Sequence, residues 1–473
     1  MKKSLYTILL MALMMTYSCQ DLVEGIDENP NDITIEDVEP SLFLTGTMLA
    51  NSSAAVGHLN RISGMWSGQL TGLSSLYSNI YGYSISTAES VGTWSRIYIA
   101  IVPNVRYVRN QTSGDPLLQG ITKVLEAQAI GLGASLFGDV PYSQINQEEV
   151  EDPSFDNQMD VLNSVISLLD DAISDFSSAG GGRALDVDIY FDGDANKWRE
   201  AANTLKARYL MMMKDYSGAY AAARNGISSS AGNMQHIPRG DASIAEGDKN
   251  TFWTILEGSR AGDIGSEGSY LSKLLDPSAP EYRGNAKTDE TARGAYSFVI
   301  GASGSQNQGI IEQFEPQNIV SFEENHLILA EAGARTGGFD TGLGHLNEFR
   351  AWLNGGGRLN SNFSGMPYLY DAYEAADFEA GGMENADGIA ADRALLREII
   401  EERYVSGFGE FMPFDDARRL RKSDGDLSVP FPLNTEAASQ HPERFPYSDD
   451  ELNSNQNAPS EDPGIFTKTR VNM

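Results

Sequence analysis

Residues 324–353, ENHLILAEAGARTGGFDTGLGHLNEFRAWL, read as two amphipathic helices joined by one tight turn. Val320, Leu327, Ala330 and Ala334 recur at helical spacing before Thr336-Gly337-Gly338, and Leu343, Leu346, Phe349 and Leu353 recur after it. Apolar residues three and four apart share one face of a helix. Two such faces separated by a short glycine turn leave water by folding onto each other. The unit is an αα-hairpin, and hairpins of this kind stack into repeat scaffolds.

The same grammar recurs upstream. Trp198, Ala202, Leu205, Tyr209 and Met212 are followed after a short turn by Tyr216, Tyr220, Ala223 and Ile227. Further stripes are Trp94, Tyr98, Ile101, Val105 and Val108, then Leu118 to Leu136 stopping at Gly138, then Leu162 to Phe176 stopping at the Gly180 run. Pro103 is expected to kink the first of these, because proline lacks the backbone donor. Helices are also expected over residues 40–55 and 395–403. The pattern is lost over 231–316, read as a loop-rich insertion, and again in an irregular tail, 404–473. The expected fold is all-α dominated: divergent tetratricopeptide-like helix pairs, lacking the strict consensus, with long irregular loops.

The chain opens MKKSLYTILLMALMMTYSC, with Lys2 and Lys3 before an apolar run over residues 5–15 and the only cysteine of the sequence at Cys19. This is the grammar of a lipoprotein signal peptide, residues 1–18, with lipidation at Cys19. The alternative is an ordinary signal peptide with an incidental cysteine. Each buried acyl methylene contributes about 0.8 kcal/mol, so several chains anchor firmly. One cysteine excludes intramolecular disulfides and multi-thiolate metal sites. A formal net charge of -32 argues against nucleic acid, which is bound by clustered Lys and Arg.

The segments TWSRIYIAIVPNVRYV, LEAQAIGLGASLFGDVPYSQ, DGDANKWREAANTLKARYLMMMKDYSGAYAAARNGI, the hairpin quoted above, LREIIEERY and FPYSDDELNSNQNAP follow one another in order. Together they resemble the SusD/RagB family of outer-membrane nutrient-binding lipoproteins. Glu402-Arg403 and Asp416-Ala417-Arg418-Arg419 stand where that family has an ER pair and a later DLRR. Phe411 and Pro413 replace a usual glycine and arginine beside Glu410, as in a divergent branch. The resemblance implies one SusD-like domain over 19–473, lipid-anchored in the outer membrane and exposed at the cell surface. It implies non-catalytic capture of an oligosaccharide and delivery to a SusC-type TonB-dependent transporter. The alternatives are a peptide-binding member of the family and a surface glycoside hydrolase.

No charged residue occurs between Arg61 and Glu89. That stretch mixes Gly, Ser, Thr and Asn with aromatics, and is either core or a binding loop. Its glycines disfavour a regular buried helix, so it is read as a binding loop. Sugar rings lay apolar C–H faces on aromatic rings while their hydroxyls need fixed polar partners. Trp66, Tyr77, Tyr81 and Tyr83 are therefore the expected platforms, with Asn79, Arg260 and Asp263 as hydrogen-bonding partners. Trp253, Tyr270, Tyr282 and Tyr296 make 250–300 a second aromatic-rich segment. The run Asp192-Gly193-Asp194-Ala195-Asn196 imitates a calcium loop, but Lys197 stands at the sixth position and Asn203 at the twelfth, so a helix cap is expected instead. His326 is read as a packed helical residue. No metal site and no cofactor are expected.

Overall fold

The structure, a computed structural model, describes residues 38–147, 149–244, 247–298 and 307–473. The signal peptide and Cys19 lie outside these residues. The first helices are α1 (Phe43–Val56) and α2 (His58–Trp66), followed by strand β1 (Thr71–Gly72) and α3 (Ser75–Tyr81). Helix α4 (Ala88–Ser95) continues through a π-helical turn at Arg96–Ile101 into α5 (Val102–Gln111). Pro103 lies in the first turn of α5. The expected disruption takes the form of a widened turn just before the proline, which accommodates its ring and missing donor.

Helix α6 (Pro116–Phe137) starts where the Asp115 side chain accepts from the Leu117 and Leu118 amides. It ends at Gly138, whose φ of 86° suits glycine. Strands β2 (Val140–Pro141) and β3 (Phe155–Asp156) pair antiparallel before α7 (Gln158–Ser178). A Cβ at Gly120 would come within 2.5 Å of the Phe176 ring, and one at Gly131 within 2.2 Å of Tyr209. These two glycines let neighbouring rings lie directly on the α6 backbone. Helices α8 (Ala195–Met212) and α9 (Tyr216–Ala223) form the next pair. Asp194 caps α8 by accepting from the Asn196 and Lys197 amides, so the calcium-like run is a helix start.

The 231–316 stretch carries more order than a loop insertion. It contains β4 (Met234–His236), α10 (Thr251–Leu256), β5 (Ile264–Gly265), α11 (Tyr270–Leu275), β6 (Thr288–Asp289) and α12 (Thr291–Ser297). Asn250 and Ser269 cap α10 and α11. Next come β7 (Gln317–Val320), α13 (Phe322–Gly337) and α14 (Phe339–Asn354), turned at Gly338 with φ 87°. Val320 ends a strand paired with β4 rather than starting a helix. Strand β8 (Leu369–Tyr370) pairs with β6, and α15 (Ala391–Ser406) matches the expected helix. The tail is not wholly irregular: it holds α16 (Met412–Leu420) and α17 (Asp449–Ser454).

The main core runs through Trp66, Phe137, Phe176, Trp198 and Phe349. Beside it lie buried ion clusters. Glu331 of α13 accepts from Arg419 at 2.8 Å and from Arg335 at 3.0 Å, while Asp416 accepts from Arg403 at 2.7 Å and Arg419 at 2.8 Å. Burial pushes the Glu331 carboxyl up, but the guanidinium groups of Arg419, Arg335 and Arg403 prevail and hold it down at about 2. A second cluster joins Glu290 and Glu402 to Arg283 and Arg293 at 2.5–2.8 Å. No helix among the described residues is long and apolar enough to cross a membrane.

Candidate functional site

The two segments expected to carry the site are brought together by main-chain pairing. Strand β1 pairs antiparallel with β5, placing Thr71 opposite Gly265 and Gly72 opposite Ile264. Beyond the pair, the Leu73 amide donates to the Asp263 carbonyl at 2.9 Å, Thr71 Oγ1 to the Glu267 carbonyl at 3.0 Å, and the Leu271 amide to the Gly68 carbonyl at 3.2 Å. Gly72 is required here, since a Cβ would lie 2.1 Å from the Tyr77 carbonyl and 2.7 Å from Tyr81 Cβ. Segments 68–81 and 263–271 are thereby one surface.

Three of the four expected platforms fail on burial. Trp66 is fully buried, stacked on Phe445 at 4.7 Å between ring centres, and its Nε1–H donates to the Ile80 carbonyl at 2.9 Å. Tyr77 is buried with its hydroxyl 3.1 Å from His58 Nδ1. Tyr83, at φ 68°, is buried with its hydroxyl accepting from the Asn434 amide at 3.0 Å. Their uncharged surroundings belong partly to core: α2, which carries Gly64 and Trp66, is the regular buried helix that the glycines were read as disfavouring. Tyr81 is half-buried, and Asn79 and Arg260 are exposed.

Asp263 joins the two segments by side chain as well. Its Oδ1 accepts from Ser74 Oγ at 3.0 Å and its Oδ2 from Arg260 Nε at 2.7 Å. Both oxygens are engaged, and Arg260 meets Asp263 through Nε and Nη2 while its side chain stays half-exposed. At the edge, His58 links Tyr77 to Glu89, with Nε2 2.7 Å from Glu89 Oε2. Burial, then the nearby Arg61 charge, lowers the His58 pKa against the pull of Glu89. Leu73 and Leu76 are 46% and 41% exposed on the same segment. The sequence reading passed over both leucines because it sought aromatic rings; an apolar residue amid Ser and Gly in a charge-free stretch was the available signal. Among the described residues, no set of three His, Cys, Asp or Glu donors converges on this surface. It offers apolar faces, amide and guanidinium donors, and carboxylate acceptors, the chemistry of polar, uncharged ligands.

A second concavity of about 180 Å³ lies beside the 231–316 stretch, lined by Tyr296, Glu323, Trp352 and Arg358 with Asn233 and Gln235. Its amides are already paired: Asn233 donates to Glu323 at 3.2 Å and Gln235 to Asn318 at 2.9 Å. A wider groove of about 640 Å³ is lined by Lys197, Arg239, Asp186, Asp192, Asp248 and Tyr190.

A family model described as "Starch-binding associating with outer membrane" matches residues 30–348. Among solved structures, the chain is similar to a SusD/RagB family protein from Bacteroides thetaiotaomicron, at 21% identity over 89% of this chain and 95% of that one, with a TM-score of 0.67. It is similar to a SusD homolog from Bacteroides uniformis, at 16% identity over 92% and 100%, TM-score 0.66. A chitin-binding SusD homolog from Flavobacterium johnsoniae aligns at 15% identity over 91% and 98%, TM-score 0.64. At these identities the likeness concerns the fold. No curated protein sequence matches the chain.

Proposed function

The chain belongs to the SusD-like family, whose model spans residues 30–348, and on that premise we propose that it captures an oligosaccharide at the outer membrane without catalysing a reaction. It passes the ligand to a SusC-type TonB-dependent transporter. After removal of residues 1–18, the chain acts as one SusD-like domain anchored through lipid on Cys19 and exposed at the cell surface. The observation that carries the reading is the pairing of β1 with β5, which joins the two segments nominated by their composition into one surface. The family description, with starch, and one relative's name, with chitin, support a glycan over a peptide.

Tyr81 serves as the ring platform, flanked by Leu73 and Leu76, while Asn79, Arg260 and Asp263 meet the hydroxyls. Contacts worth about 1 kcal/mol each give affinity on the order of micromolar or poorer. The test is to incubate the full chain with starch and chitin oligomers and with peptides, measuring retention and new reducing ends. Retention of a glycan with no new reducing ends is expected. Retention of peptides alone replaces the ligand class, and new reducing ends replace capture with hydrolysis. Cys19→Ala is expected to shift the protein from the membrane to the soluble fraction; persistence in outer membrane lacking the transporter contradicts the lipid anchor.

A further inference from the structure

The αα-hairpin of α13 and α14 brings His326 from one helix against His345 and Glu348 from the other. His345 and Glu348 are three residues apart and so share a helix face. Glu348 Oε2 lies 3.0 Å from His345 Nδ1 and 3.5 Å from His326 Nε2, and one donor atom from each residue lies within 4.8 Å of the other two. Four-coordinate zinc, with bonds of about 2.0–2.1 Å, sets its ligand atoms about 3.3 Å apart. The two distances through Glu348 bracket that value. Among the described residues, three such donors converge only here.

The surroundings hold both rings in place. His326 packs against Phe322 at 5.2 Å and is inclined 26° to Phe349 at 6.0 Å between ring centres, and its Nε2 donates to the His345 carbonyl at 3.2 Å, a proton that a metal at Nε2 displaces. His345 Nε2 is 3.2 Å from the hydroxyl of Tyr220 in α9. A hydroxyl can donate or accept, so Tyr220 serves either tautomer. It donates to Nε2 while the Nδ1 proton faces Glu348, and accepts from Nε2–H once Nδ1 turns its lone pair to a metal. That hydrogen bond fixes the ring and raises its basicity, the role of a metal site's outer partner. The side chains of His326 and His345 are 14% and 22% exposed, whereas Glu348 is 64% exposed. An ion there has two imidazoles beneath it, a carboxylate at its edge, and at least one position open to solvent.

We propose that His326, His345 and Glu348 bind a zinc ion, tying α13 to α14 and leaving an exchangeable fourth position. Two imidazole donors select zinc over calcium or magnesium, which take oxygen ligands. The site is independent of glycan capture.

The test uses the full chain purified without a histidine tag and titrated calorimetrically with zinc chloride, with calcium chloride as control. Saturable one-to-one zinc binding is expected, with no matching calcium isotherm at this site. Affinity falls tenfold or more in Glu348→Gln and in His345→Gln. Glu348 is exposed, so E348Q keeps the wild-type melting temperature without metal. Cobalt substitution should give the visible absorption of a four-coordinate ion in the wild type and lose it in E348Q. Absence of saturable zinc binding, or equal affinity in the wild type and both variants, overturns the proposal.

Discussion

The stretch 71–81 carries no charge and exposes Leu73, Leu76 and Asn79, whereas α16 carries Asp415, Asp416, Arg418 and Arg419 and buries all four. Composition alone assigns these regions the other way round. The difference lies in partners. Asp416 and Arg419 meet opposite charges supplied by α15 and α13, with Glu331 lying 88 positions from Arg419 in the chain, while Asp415 and Arg418 pair with each other. Burying a charge is tolerable where such a partner and further hydrogen bonds wait for it. The 71–81 stretch pairs Thr71 and Gly72 with β5 and leaves Leu73, Leu76 and Asn79 exposed, which is what the proposed ligand surface rests on.

The largest effect should come from breaking the charged region. Arg419→Ala leaves Glu331 and Asp416 with fewer cations in a dry setting and should cost about 3–5 kcal/mol in urea unfolding. A loss below about 1 kcal/mol would mean the α16 ions act as surface pairs. Trp66→Ala tests the other region from beneath, and should lower stability by about 3–5 kcal/mol through cavity formation. If Trp66→Ala leaves stability intact and removes glycan binding, the tryptophan is a platform after all.

Glu410 gives the smaller, pH-dependent test. It is buried, no hydrogen bond reaches either carboxylate oxygen among the described residues, and burial followed by the charges of Glu324 and Glu323 raises its pKa to about 7. The folded-state pKa lies above the unfolded value, so its contribution is fully present below about pH 4.5 and is lost as pH rises through about 7. Glu410→Gln should therefore raise the melting temperature at pH 8, by on the order of 1–3 kcal/mol of stability, and change it little at pH 4.5. An equal shift at both pH values would remove charge as the cause.

The helix pairs were legible in the sequence because each is a local pattern. Ala330 shares an apolar cluster with Leu346, and Leu327 one with Phe349 and Leu353, across one glycine turn, and α8 and α9 follow the same rule. Helix α16 was not legible: Phe414, Ala417 and Leu420 repeat at three, but the ions between them read as solvated, and Glu331, which meets Arg419, is 88 positions away in sequence. The candidate site was legible as two segments and not as residues. Charge-free composition nominated 62–88 and aromatic content nominated 250–300 with Arg260 and Asp263, yet nothing local distinguishes Tyr81, half-buried, from Tyr77 and Tyr83 on the same stretch. Their burial is set by His58 and Asn434, contributed from outside the stretch.

The most direct test of the central claim is calorimetric titration of the retained glycan into the wild type and Tyr81→Ala. Tyr81→Ala is expected to keep the wild-type melting temperature and lose about 1 kcal/mol of binding, roughly fivefold in Kd. Full wild-type affinity in Tyr81→Ala would contradict the claim that the surface joined by β1 and β5 is where the ligand is held.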